Sequence, residues 1–183
     1  MPEGKEQQKL PDLCVKDWHR ALYWADSAMA RQPEFLNPGP LGDGLINLDL
    51  RETIRGNPEK DEVPTYRFAI SLALTGEEVG GINFRVGLNA TILRLRGQVG
   101  FTIDQAHRGK KLARRACALL LPFAQRHDLR ELWITCDPDN IASRKTIEAV
   151  GAELVEIVHV PSGTRFHDEG SRQKCRYRIE LVK

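Results

Sequence analysis

The chain has 183 residues, of which 41% are hydrophobic and 28% charged, and its formal net charge is only +2 at pH 7. That size and balance suit one globular domain with a sizeable core and exclude a dedicated nucleic-acid binder, whose basic excess would be global rather than local. No stretch is apolar for long enough to span a membrane, and the hydrophilic start from Met1 to Lys9 has no signal core. The four cysteines, Cys14, Cys117, Cys136 and Cys175, show no paired spacing. No metal site and no disulfide framework are expected, and the expected compartment is the reducing cytoplasm.

Residues 1–11 are polar, charged and without periodicity, so disorder is expected there. Over residues 17–31, Trp18, Leu22, Ala25 and Met29 fall near one helical face. The loop 37–44 precedes an alternating strand at Leu45–Leu50, and residues 55–64, with Pro58 and Pro64, form a second loop. Tyr66–Leu74 and Val79–Val86 read as a hairpin around Thr75 to Glu78. A strand from about Leu95 to Asp104 then runs through a short turn into a helix from about Gly109 to His127. Leu112, Ala116, Leu119, Leu120 and Phe123 give that helix its apolar stripe, and Pro122 is expected to kink it. Glu131–Cys136 is a short strand. A helix then runs from the Asp137-Pro138-Asp139-Asn140 turn to Val150, with Gly151 as its left-handed stop. Glu153–Val160 and Cys175–Val182 close the chain as strands. Residues 1–183 thus read as a single mixed α/β (α+β) domain, with 1–40 as an N-terminal extension.

The passage from strand to long helix carries the chemistry. Arg108, Lys110, Lys111, Arg114 and Arg115 crowd the start of the helix. A helix N-terminus already holds about half a positive charge, so each cation there costs about 0.3–1 kcal/mol. An anion held jointly by free backbone N–H groups and the cations reverses that cost, which points to a polyphosphate ligand. A plain solvated basic face is the alternative.

Arg108-Gly109-Lys110-Lys111-Leu112-Ala113 resembles the acetyl-coenzyme A binding motif, Gln/Arg-x-x-Gly-x-Gly/Ala, of the GNAT N-acetyltransferase superfamily. Lys111 stands where the motif has its central glycine, and Gly109 adjoins it. Asn140-Ile141-Ala142-Ser143, followed by Glu148 and Gly151, resembles the next motif of the same superfamily at the expected separation. The resemblance covers about 98–155, is weaker over 66–96 and 175–182, and is not visible in the first ~60 residues. Among relatives the chain is similar to a bacterial group of predicted acetyltransferases. The resemblance implies a GNAT-like central mixed sheet, flanked by helices and splayed near Phe101–Ile103 so that the cofactor inserts where pairing fails. It implies that Phe101, Thr102 and Ile103 pair their backbone with the pantetheine arm. The segment Arg108, Gly109, Lys110, Lys111, Leu112, Ala113 and Arg114 would wrap the pyrophosphate. Lys110, Lys111, Arg114 or Arg115 would reach the 3′-phosphate. Asn140, with Ser143, would meet the pantetheine or acetyl end; a bare helix cap is the other reading of Asn140.

The implied reaction moves an acetyl group from acetyl-CoA, as co-substrate, to a primary amine of an unidentified acceptor by direct attack. The alternative is a non-catalytic CoA-binding sensor or interaction module. A possible homodimer is expected on family grounds alone. An ordinary lysine-like amine with a pKa of ~10.4 is neutral in about one molecule in 2,500 at pH 7, so a base matters more than an acid. Well-understood relatives have a tyrosine seven residues after the motif asparagine, where this chain has Ile147. Some have a glutamate five residues before it, where this chain has Thr135. Asp137 and His159 are the candidates for catalysis, with Asp104 and His167 behind them. Asp137 also reads as a turn residue, and His159, on the strand face of Val155 and Ile157, as a satisfied core-edge histidine. Cys136 as a nucleophile is disfavoured because a cysteine ending a buried strand usually packs.

Overall fold

A computed structural model of the chain describes residues 34–181. The expected disorder at 1–11, the helix at 17–31 and Cys14 lie outside those residues. Eight strands form one sheet in the order β1-β2-β3-β4-β5-β6-β8-β7. They are β1 (Leu41–Gly42), β2 (Ile46–Ile54), β3 (Thr65–Leu72), β4 (Glu78–Arg85), β5 (Val99–Ile103), β6 (Glu131–Cys136), β7 (Glu153–His159) and β8 (Gln173–Glu180). All neighbours are antiparallel except β5 and β6, which run parallel. The helices are α1 (Leu112–Gln125), α2 (Ile141–Ala149) and the single turn α3 (Arg165–Asp168).

One register row explains the core. Tyr66, Phe84, Val99, Ile134 and Tyr177 are consecutive partners across β3, β4, β5, β6 and β8, and each is at most 2% exposed. Alternation puts all five on the same side, where Phe123 of α1 meets the Tyr66, Phe68 and Phe84 rings at 5.0–6.2 Å. Ile147 of α2 joins the same core. Residues 34–40 close one end: Phe35 stacks edge-on against Tyr66, and Arg126 donates to the Asn37 and Pro38 carbonyls.

The other face of the sheet is polar. It presents Arg67, Asn83, Arg85, Thr135 and Arg176, and a π-helical turn at Ile92–Arg96 covers part of it. Leu95 of that turn packs with Val158, Val160 and Phe166 in a second small cluster.

Three expectations change. The strand expected from about Leu95 begins at Val99: Ile92 and Leu95, buried three residues apart, follow the helical period, and Gly97 at φ 67° ends that turn. The strand expected at Leu45–Leu50 extends to Ile54 because β3 continues alongside it past a bulge at Leu50/Glu52. On β7, Val155 and Ile157 are each 48% exposed, so the face that carries His159 is solvent and Val158 is the buried residue. The helix α1 continues through Pro122, which is exposed, and Gly151 takes φ 91° after α2 as its stop signal required.

Candidate active site

The parallel strands β5 and β6 pair only at Val99 and Ile134, and beyond that point they part. At the apex Gln98 spans both strands: its N–H donates to the Trp133 carbonyl at 2.6 Å, and its Oε1 accepts from the Trp133 N–H at 3.0 Å. Gly97 comes just before. A Cβ there would lie 2.8 Å from the Thr135 nitrogen, so the close approach of the strands requires glycine.

One wall of the cleft is the free edge of β5. The Gln98 carbonyl accepts from the Arg85 N–H, and the Asp104 N–H donates to the Val79 carbonyl. Antiparallel alternation turns Gly100 and Thr102 toward β4 as well. Phe101 and Ile103 therefore face the gap with their backbone groups. Thr102, expected to do the same, turns its backbone groups toward β4 by that alternation. The Ile103 carbonyl accepts from Arg108 Nε at 3.0 Å, which ties the following loop to the strand end.

That loop exposes donors. Gly109 has φ 79° and Lys111 φ 60°. Lys111, at the position of the motif glycine, thus keeps the left-handed backbone a glycine adopts freely, at about 1–2 kcal/mol. The N–H groups of Gly109, Lys110, Lys111, Leu112, Ala113 and Arg114 meet no acceptor among the described residues. The Arg115 N–H is the first bonded into the helix, to the Lys111 carbonyl at 3.2 Å. The positive end of the α1 dipole lies at the same place. Lys110, Lys111 and Arg114 are exposed, Ala113 is half-buried, and Leu112 is buried as the anchor of the first turn. Arg115 is instead paired with Asp43. Burial alone would raise the Asp43 carboxyl, but the Ile46 and Leu45 N–H groups and Arg115 hold it below its ordinary value.

The other wall is the end of β6 and the start of α2. Asn140 caps α2, its Oδ1 accepting from the Ser143 N–H at 3.0 Å, and the residue is exposed. The Cys136 thiol is pushed up to about 12 by burial, with Cys175 opposite it on β8 adding to the effect. It stays protonated at neutral pH and is no nucleophile. Ile147, at the position of the relatives' tyrosine, is 1% exposed in the core.

The two catalytic candidates are not brought together. Asp137 Oδ1 accepts from Lys174 Nζ at 2.7 Å and Ser171 Oγ at 2.5 Å. Burial pushes its carboxyl up, but these bonds and the lysine charge outweigh that and hold it below its ordinary value. His159 is exposed on β7, opposite Gln173, with β8 between it and β6. Asp104 is exposed at the end of β5, and His167 lies in α3.

Sequence reasoning missed several groups. Tyr177 Oη donates to Glu148 Oε1 at 2.8 Å and accepts from Arg144 Nε at 3.2 Å, which ties β8 to α2. Lys174 holds Asp137. Arg85 and Gln98 are buried on the polar face beside the apex. Each of these depends on partners far apart in the chain, and no local spacing signals them. Among the described residues no group of three or more His, Cys, Asp or Glu is placed to hold a metal ion, and no helix is long and apolar enough to cross a membrane.

A family model of the acetyltransferase (GNAT) domain matches residues 10–153, beginning well before the first motif legible in the sequence. No curated protein matches the chain. Among solved structures, an acetyltransferase (GNAT family) from Bacillus anthracis is 19% identical, covers 64% of this chain and 67% of its own, and superposes with a TM-score of 0.52. A Vibrio cholerae protein provisionally assigned as a ribosomal-protein-serine acetyltransferase is 15% identical, covers 82% of this chain and 99% of its own, and has a TM-score of 0.55. At such identities these likenesses concern the fold alone. The family match spans most of the chain, and with it the chain belongs to the GNAT acetyltransferase family and is an acyltransferase.

Proposed function

We propose that the protein transfers the acetyl group of acetyl-CoA to a primary amine by direct attack. One observation carries this reading: the gap between β5 and β6 leads along the free edge at Phe101 and Ile103 to the unpaired N–H groups of Gly109 to Arg114. A strand edge suits the amides of a pantetheine arm, and a ring of N–H groups at a helix N-terminus suits a pyrophosphate. Lys110, Lys111 and Arg114 add charge for the phosphates as point contacts. Arg108 shapes the loop through the Ile103 carbonyl. The exposed amide of Asn140, fixed by its bond to the Ser143 N–H, is available to the pantetheine or acetyl end.

Acetyl-CoA supplies an activated acyl group: a neutral amine attacks the thioester carbon, the C–S bond breaks, and a thiol of pKa about 8.5 leaves more easily than the amine. The protein's part is to hold the acyl group at the cleft and admit an amine already neutral. Asp137 is spent on Lys174 and Ser171 and serves the architecture of the wall. The acceptor that suits such a site is an α-amine, with a pKa of about 7.7–8.0, rather than a lysine side chain.

The test is calorimetric titration of acetyl-CoA into the wild type and into a Lys110→Ala/Lys111→Ala/Arg114→Ala variant. One-site binding, weakened about tenfold or more in the variant, is expected. A wild type that binds no acetyl-CoA would remove the basis of the proposal.

A further inference from the structure

Arg85 ends β4 on the polar face of the sheet and is 6% exposed. Its Nη1 donates to the Gly97 carbonyl at 3.2 Å, while its Nε is buried and has no partner among the described residues. The charges that act on it are Arg96 and Arg67, both cations, and Arg67 is itself paired with Glu52 at 2.7 Å. Burial first, and these two cations second, push the Arg85 guanidinium down to about 10, so it is still charged at neutral pH.

Gln98 is the cross-strand neighbour of Arg85, whose N–H its carbonyl accepts at 2.8 Å. The Trp133 N–H fixes the orientation of the Gln98 amide, because only its oxygen can accept that bond. Gln98 Nε2 is therefore a donor, in a residue 0% exposed, and it too meets no acceptor among the described residues. Beside them Gly100 has no side chain. A Cβ there would lie 3.3 Å from Arg85 Nη1, so the guanidinium lies over the strand just where β5 and β6 begin to part.

A buried donor left unpaired has lost its water without replacement, and an unpaired buried cation costs more than a neutral donor. A bridging water can satisfy two donors, but it does not neutralise a charge. An oxyanion with two oxygens to offer does both and matches the guanidinium fork.

We propose that Arg85 and Gln98 form a receptor for an oxyanion, carboxylate or phosphate, carried by the acceptor near its amine. The inference rests on the acetyltransferase reading above and adds the class of acceptor. It makes Arg85 a specificity-determining residue at the apex of the cleft.

The experiment uses two matched pairs of tripeptide amides with free N-termini: Asp-Ala-Ala against Asn-Ala-Ala, and phosphoserine-Ala-Ala against Ser-Ala-Ala. Acetyl-CoA affinity of the full chain is measured first. If it is absent, the acetyltransferase reading fails and this inference with it. With binding established, the wild type is expected to show at least tenfold higher kcat/KM for the anionic member of one pair, through KM, and the favoured pair tells carboxylate from phosphate. Arg85→Gln is expected to bring that ratio to within twofold of one. Arg85→Lys, which keeps the charge and loses the fork, is expected to leave an intermediate ratio. The thermal transition and acetyl-CoA affinity of each variant check that it folds. No charge preference in the wild type, a preference that survives Arg85→Gln, or acetyl-CoA binding with no turnover of any of the four peptides would overturn the receptor. The wild-type comparison decides even if Arg85→Gln does not fold.

Discussion

Lys111 shows how one side chain can depart from a motif while its backbone keeps to it. The loop needs a left-handed residue to turn its N–H groups outward, and Lys111 adopts φ 60° although it has a Cβ. The strain is about 1–2 kcal/mol, and replacing the lysine by glycine returns about 0.5–1 kcal/mol of it as unfolded-chain entropy. Lys111→Gly is therefore expected to stabilise the protein by about 0.5–1 kcal/mol and to raise Tm by roughly 1–4 °C. The same change removes one cation and should weaken acetyl-CoA binding by less than about fivefold. A lower Tm by thermal unfolding would mean that the lysine side chain holds the loop through contacts of its own. The sequence showed the missing glycine. It did not show that the conformation survives, because φ is set by the tie of Arg108 to the Ile103 carbonyl and by the docking of Leu112 as much as by residue type.

At the scale of elements, α1 presents donors at one end and a histidine among aromatic rings at the other. His127 lies 5.0–5.6 Å from the Phe123, Tyr66 and Phe84 rings, and its Nε2 has no partner among the described residues. Burial first, and the Arg126 charge second, lower its pKa below 6.5, against the smaller pull of Asp128. The folded state thus binds this proton less readily than the unfolded chain. The stability that neutral His127 supports is complete above about pH 6.5 and falls as pH drops from there toward the depressed folded value, below which both states are protonated. Urea unfolding between pH 7.5 and 5 should show that loss, and His127→Phe should flatten the curve over the same window. An unchanged slope in the variant would assign the loss to other groups. The helical period of α1 was legible because its apolar stripe is local. The π-helical turn at Ile92–Arg96 was not, since its apolar residues pass equally for an alternating strand until Val158, Val160 and Phe166, more than 60 residues on, hold Leu95. The core-edge placement of His159 is overturned for the related reason that strand alternation gives two faces without saying which is wet.

For the whole molecule, the motifs located the loop of exposed N–H groups before α1, whereas the far end of the cleft depends on how distant strands meet. Asp137 directly precedes Pro138 and read as either turn or base. Its partners, Ser171 and Lys174, come from the β7–β8 connection and the start of β8, and they hold it as a carboxylate with its Oδ1 engaged. On the proposed reading, a carboxylate committed in this way leaves deprotonation to the acceptor's own equilibrium with water. An α-amine with a pKa near 8 is neutral about 230 times more often at pH 7 than a side-chain amine near 10.4. The greater nucleophilicity of the side-chain amine recovers part of that factor, so a preference of at least tenfold for a peptide α-amine over a lysine ε-amine is expected. The pH dependence of kcat/KM should then rise with unit slope and level off near the acceptor's pKa, about 8, and should shift when an acceptor of different amine pKa is used. Asp137→Asn should lower kcat by less than about tenfold and leave that limb in place, since losing a general base costs 10²–10⁴-fold. A hundredfold loss with removal of the limb would identify Asp137 as the base after all. It would mean that Lys174 releases the carboxylate when acetyl-CoA and acceptor are bound, and the wall at the end of β6 would then be catalytic as well as structural.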